Sequence, residues 1–210
     1  MALRFSPDEG NIRVMAGALA IAILLSLAMF SWFILPGYSS GQRAYSGLNQ
    51  LADSPVIASN VTGYADLSGI LGQVQVTNPA PSPNKLGAVV MKIQLDSLRY
   101  VWKPGAGIDL DKSTVIFASP AGREVVPRNS GLPMKKPGWA IVRKESTIPY
   151  QGADQDNILE PNEAFVLFVY PSTPLSPSTP FTVTISMPEE NALMVNRTVP
   201  VQVKPVMNLG

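Results

Sequence analysis

The densest set of chemically capable side chains is DQDNILEPNE, residues 154–163, which places Asp154, Asp156, Asn157, Glu160, Asn162 and Glu163 in one short stretch. Oxygen donors at this density suit a hard cation, Ca²⁺ or Mg²⁺, held on a loop. The stretch lacks the glycine and the closing glutamate that an EF-hand loop uses. A solvated acidic turn capped by Asx side chains is the competing reading. A cation held by Asp154, Asp156, Asn157 and Glu160 would stabilise the domain rather than catalyse, and no cofactor is required. Two N-x-[ST] triplets, Asn60-Val61-Thr62 and Asn196-Arg197-Thr198, are candidate N-glycosylation acceptors. Asn60 is expected in a loop ahead of the first strand, and Asn196 in or beside a strand.

Other combinations offer less. Asp66 with Ser68, and Asp111 with Ser113, resemble catalytic fragments, but no base accompanies them and such pairs are ordinary turn chemistry. Lys135 and Lys136 in PMKKPG are expected at a solvated loop tip, since no glycine-rich strand-to-helix turn adjoins them. The chain has no cysteine and no histidine, which removes disulfides, thiolate nucleophiles, Cys/His zinc sites and the commonest general base. An enzyme is not expected. The formal net charge is +1, and no basic cluster is interleaved with aromatics, so nucleic acid is not an expected partner.

The elements that must carry these groups fall into two textures. From Val14 to Leu35 the chain reads VMAGALAIAILLSLAMFSWFIL without a charge, about 22 residues, or roughly 33 Å as a helix. Residues 1–13, MALRFSPDEGNIR, are polar. Pro36 and Gly37 are expected to kink the helix, and Ala44, Leu48 and Leu51 then share one face up to about Asp53. Beyond residue 54, short β-branched runs alternate with Pro, Gly, Asn and Ser, which predicts strands near 70–78, 87–97, 113–119, 139–144, 163–170, 181–188 and 195–203. The expected class is α+β, a long kinked N-terminal hydrophobic helix followed by an all-β, sandwich-like (immunoglobulin-like) domain. The domains expected are a leader over 1–10, the hydrophobic helix over 11–53 and the outer β-domain over 54–210.

A family resemblance rests on the order of several short motifs. The apolar segment followed by GYSSGQRAYSGLNQLADS and VTGYADLSGILGQVQVTN resembles the archaellins, subunits of the archaeal swimming filament. GIDLDKSTVIF (107–117) resembles an archaellin strand introduced by I-D-L; ILEPNEAFVLFV (158–169) resembles its L-x-P-G-E turn, with Asn162 in place of glycine. FTVTISMPEENALMVNRTVP (181–200) resembles the closing hairpin with its R-T-x-P ending.

That resemblance implies a homopolymer, with or without a second archaellin, assembled at a membrane platform after a prepilin-like peptidase removes the leader between Gly10 and Asn11. The helices would bundle in the filament core and the β-domains would lie outside. Small residues such as Ala18 and Ala28 would allow close approach, and Leu24, Leu25, Phe30, Trp32 and Phe33 would fill the gaps. Two departures stand out: Gly10 follows acidic Asp8 and Glu9 rather than a basic residue, and Met15 stands where many pilin-like subunits carry glutamate. The first favours the competing reading, a single-pass membrane anchor bearing an extracellular β-domain that binds the cell envelope or another filament component.

Overall fold

The computed structural model describes residues 54–96, 107–129, 131–149, 152–188 and 190–210. In chain order the strands are β1 (Val56–Asp66), β2 (Gly69–Leu71), β3 (Val74–Val76), β4 (Ser82–Leu95), β5 (Ile108–Asp109), β6 (Thr114–Ser119) and β7 (Gly122–Val126). They continue with β8 (Gly138–Ser146), β9 (Ile158–Leu159), β10 (Glu163–Tyr170), β11 (Pro180–Ser186), β12 (Leu193–Thr198) and β13 (Val206–Asn208). One 3-10 turn, Leu110–Lys112, is the sole helical element among the described residues.

The α+β expectation is therefore corrected: the described chain is all-β. Its helix rested on residues 11–53, and beyond them β-branched alternation and frequent prolines leave no sustained 3.6-residue apolar period. That expected helix, with its packing residues Ala18, Leu24, Leu25, Ala28, Phe30, Trp32 and Phe33 and its kink at Pro36 and Gly37, lies outside the described residues. So does the Gly10–Asn11 junction. No helix among the described residues is long and apolar enough to cross a membrane.

A five-stranded sheet, ordered β13-β1-β4-β10-β8, shares a core with a four-stranded sheet, ordered β12-β11-β6-β7. All the named pairings are antiparallel. Alternation explains the inner faces. In β11, Phe181, Val183 and Ile185 point inward while Thr182 and Thr184 point outward. Phe117 on β6 stacks on Phe181, with ring centroids 5.5 Å apart.

Strand β10, EAFVLFVY, is buried along its whole length. An unbroken apolar run of this length suits a strand covered on both faces. Phe165, Leu167 and Val169 join the core between the sheets, whereas Phe168 and Tyr170 point the other way into a second cluster with Leu71, Val74, Val76, Ala88 and Met134. The cover over that outer face is the β2–β3 ribbon. Its two-residue turn needs Gly72, whose φ of +63 is left-handed and where a Cβ would lie 2.9 Å from the Tyr64 hydroxyl. The single strand expected over 70–78 is thus folded back on itself. Met134 extends the cover, donating its N–H to Gln75 O and accepting from Thr77 N–H at 2.8 and 3.0 Å.

Candidate functional site

Where the ribbon meets the five-stranded sheet, a polar cluster lies under apolar cover. Asp66 ends β1 and is fully buried; it is one of few buried polar side chains among the described residues. Burying a carboxylate is costly unless it is paired and hydrogen-bonded, and this one is both. Its Oδ1 accepts from Asn78 Nδ2 at 2.9 Å and is ion-paired with Lys136 Nζ, while Oδ2 accepts from Ser82 N–H at 3.1 Å. Asn78, itself buried, accepts from Ala80 N–H through Oδ1 at 3.2 Å, and its own N–H donates to Ser68 Oγ at 3.2 Å.

The Lys136 side chain is 16% exposed, with its ammonium 4.9 Å from the centre of the Tyr170 ring. The expected solvated tip holds for Lys135, which is exposed, and is corrected at Lys136, because the segment folds against β3 through Met134 and carries Lys136 inward. The Tyr170 hydroxyl is buried and pushed up to about 12, first by burial and then by the Asp66 charge. Gly87 on β4 makes room for the cluster: a Cβ there would lie 2.5 Å from Asp66 Cα.

The acidic stretch 154–163 joins β8 to β10 and contains β9. Asp154 Oδ1 accepts from Asp156 N–H at 3.0 Å, and Asp156 Oδ1 from Ile158 N–H at 2.8 Å. These are Asx-type turns. Asn157 turns away, donating to both carboxylate oxygens of Asp111 at 3.0 and 3.1 Å. Glu160 contributes its carbonyl to Glu163 N–H at 3.1 Å. Among the described residues no three His, Cys, Asp or Glu side chains form a metal-sized group.

Glu163 is buried, with Oε1 accepting from Asp154 N–H at 3.1 Å. Burial raises its pKa above the ordinary value, and the Asp154 and Glu160 charges add to that. Asn162 carries φ of +71, a left-handed position that asparagine tolerates and glycine favours.

Asn60 and Asn196 are not brought together. Asn60 is exposed, but it sits inside β1 and not in a loop: the ladder to β4 shifts register between Ser59 and Thr62, and Asn60 has φ of +51 in that bulge. Asn196 lies in β12, half-buried, and its Oδ1 accepts from Thr182 Oγ1 at 2.6 Å. Arg197 beside it donates to Asn196 O and Gly210 O at 2.7 and 3.1 Å. Burial lowers the Arg197 pKa.

Two surface depressions adjoin β6. One is lined by Phe117, Ser119, Arg123, Glu124 and Ser172, the other by Pro120, Phe181, Thr182, Asn196 and Arg197. In the first, Glu124 Oε1 accepts from Ser172 N–H at 2.9 Å. Sequence reasoning missed the Asp66–Asn78–Lys136 cluster. The available signal was weak: a Pro- and Gly-flanked Lys pair, and an Asp at the end of a run with β-like alternation.

No protein-family model and no curated protein matches the chain. Among solved structures it is similar to archaeal flagellin FlaB1 from Methanocaldococcus jannaschii, at TM-score 0.49 and 12% identity over 74% of this chain and 96% of that one. It is similar to the archaeal flagellum of Methanospirillum hungatei, at TM-score 0.43 and 14% identity over 98% of this chain and 100% of that one. It is also similar to the archaellum periplasmic stator protein FlaG from Sulfolobus acidocaldarius, at TM-score 0.37 and 20% identity over 60% of this chain and 94% of that one.

Proposed function

We propose that the chain is a structural subunit that polymerises into an archaellum-like extracellular filament for swimming or adhesion. The apolar N-terminal segments would gather in the filament core with the β-domains outside. The observation that carries this reading is the charge-free run Val14–Leu35 joined to a β-domain in a chain that lacks histidine and cysteine. Such a segment must be covered, by lipid before assembly and by copies of itself afterwards, because each Å² of apolar surface removed from water contributes about 25 cal/mol.

The outer domain adds points of contact. Val125 and Val206 lie on edge strands β7 and β13, Ile70 on the ribbon, and Leu132 and Val201 on connections; all five are 56–83% exposed. Scattered apolar residues are common on monomers; in a polymer, those on edges are where neighbouring β-domains would touch. A prepilin-like peptidase and a membrane platform are the partners this assembly calls for.

The test is electron microscopy of filaments sheared from cells producing the chain, with mass spectrometry of their N-terminal peptide. Filaments built of this chain, with a peptide starting at Asn11, are expected. Recovery of the chain only from membranes, with its N-terminal residues intact, would overturn the reading in favour of an anchored extracellular β-domain.

A further inference from the structure

The cluster beneath the β2–β3 ribbon brings together a primary amine, a carboxamide and a carboxyl group that touches both. We propose that Lys136 and Asn78 are joined by an intramolecular isopeptide bond, with Asp66 as the proton carrier. This inference concerns the β-domain alone and does not rest on polymerisation.

The geometry supplies each requirement. Asp66 Oδ1 accepts from Asn78 Nδ2 at 2.9 Å and contacts Lys136 Nζ, so the amine and the carboxamide meet at a single oxygen. Groups held this way react as if at very high local concentration, which is what an amine and an unactivated carboxamide need. The Ala80 N–H, 3.2 Å from Asn78 Oδ1, points at the atom on which negative charge develops when the amine attacks. The surroundings are dry. Asp66 is fully buried and Asn78 is 7% exposed, and Phe168, Tyr170, Met134 and Val76 pack in the adjoining apolar cluster. Removing water strengthens the electrostatic interactions and suppresses hydrolysis.

The chemistry balances without an outside reagent. Asp66 takes one proton from the Lys136 ammonium and frees its lone pair. Nζ attacks Asn78 Cγ, forming the new C–N bond and a tetrahedral centre. Asp66 returns its proton to the departing nitrogen, the Cγ–Nδ2 bond breaks, and the second Nζ proton leaves with it. An ammonium ion is released and Asp66 ends as it began, a carboxylate.

Asn78 is the electrophile rather than Asp66. An ionised carboxylate resists attack, and both Asp66 oxygens are already engaged by donors. Attack on Asp66 would also consume the proton carrier of the cluster. The product ties the β3–β4 connection to the segment ahead of β8. A chain without cysteine would thereby gain a covalent cross-link over its second core.

The experiment is mass spectrometry of the intact, folded full chain, followed by trypsin digestion. The N-terminal residue is read from the same digest so that the expected mass is known. The proposal requires a mass lower than the sequence by one ammonia. It also requires a branched peptide joining the segment that ends at Lys85 to the one that begins at Lys136, with fragment ions placing the branch on Asn78. Lys136→Arg keeps the cation beside Asp66 but has no amine nucleophile; it should fold and show the full mass with linear peptides. An unreduced mass in folded wild-type protein would overturn the proposal. So would loss of one water with a branch on Asp66, or loss of ammonia without the branched peptide.

Discussion

Replacing Lys136 with methionine leaves the volume nearly unchanged and strands the Asp66 carboxylate, which is fully buried. Removing one partner of a buried ion pair costs about 3–5 kcal/mol. The cost here falls at or below the lower part of that range, because Asp66 keeps its hydrogen bonds from Asn78 Nδ2 and Ser82 N–H and the lysine side chain is 16% exposed. Measured against Lys136→Arg, which keeps a cation beside Asp66 and cannot form the cross-link, a loss of about 2–4 kcal/mol is expected, taking the buried-pair figure as the ceiling. For a domain of this size that lowers Tm by about 4–16 °C.

Thermal unfolding at neutral pH, followed by circular dichroism, measures the loss. The second arm is the double variant Asp66→Asn/Lys136→Met, in which no charge remains to be stranded. It should recover at least half of what Lys136→Met loses, as neutral replacements of buried pairs do. A double variant no more stable than Lys136→Met would refute the argument, because the damage would then come from lost packing.

Gly87→Ala should destabilise by about 1–3 kcal/mol through overpacking against Asp66, measurable as a shift in the urea midpoint. Glu163 and Glu145 should show opposite pH signatures. Burial raises the Glu163 pKa, so its favourable contribution is complete below 4.5 and disappears as pH rises through the folded value; Glu163→Gln should remove that loss and gain stability relative to wild type at neutral pH. The hydrogen bond from Lys92 chiefly lowers the Glu145 pKa, so its contribution is present above 4.5 and lost as pH falls through the folded value; Glu145→Gln should lose stability at neutral pH but not in acid. Peptide mapping of material from the producing cells should find a glycan on Asn60, which is exposed, and none on Asn196, whose side chain is held by Thr182.

The parts legible in the sequence are those where local pattern and tertiary environment agree. FTVTIS alternates and forms β11 with one face in the core; EAFVLFVY does not alternate and forms a strand covered on both sides. Strand β1 was illegible because VIASNVTGYAD places a glycosylation triplet and a glycine in a run that pairs with β4 around a bulge at Asn60. PAPSPN reads as a loop, yet β4 begins at Ser82 within it, where Pro83 falls at an irregularity of the β1–β4 ladder. The Asp66–Asn78–Lys136 cluster was hidden for a different reason. Its members are brought together by the ribbon and by the Met134 segment lying along β3, contacts that no local spacing encodes.

The same long-range contacts bear on how copies of the domain can meet. Edge strands are ready templates for pairing with another chain, and proteins blunt them by shortening, bulging or covering them. Here β13 has three residues and β7 five, and Pro200 follows soon after β12. The start of β8 is already engaged, since Trp139 N–H donates to Pro127 O at 2.9 Å and its carbonyl accepts from Asn129 N–H at 2.8 Å. The short β7 and β13 edges leave little continuous backbone for strand addition. Val125 and Val206 still expose their side chains there, so contact between β-domains should be made by side-chain packing. Val125→Lys with Val206→Lys should then leave the Tm of the domain within about 2 °C of wild type, as surface changes do, while shortening or abolishing filaments under the electron microscope. Normal filaments from that double variant would place the contact elsewhere on the domain.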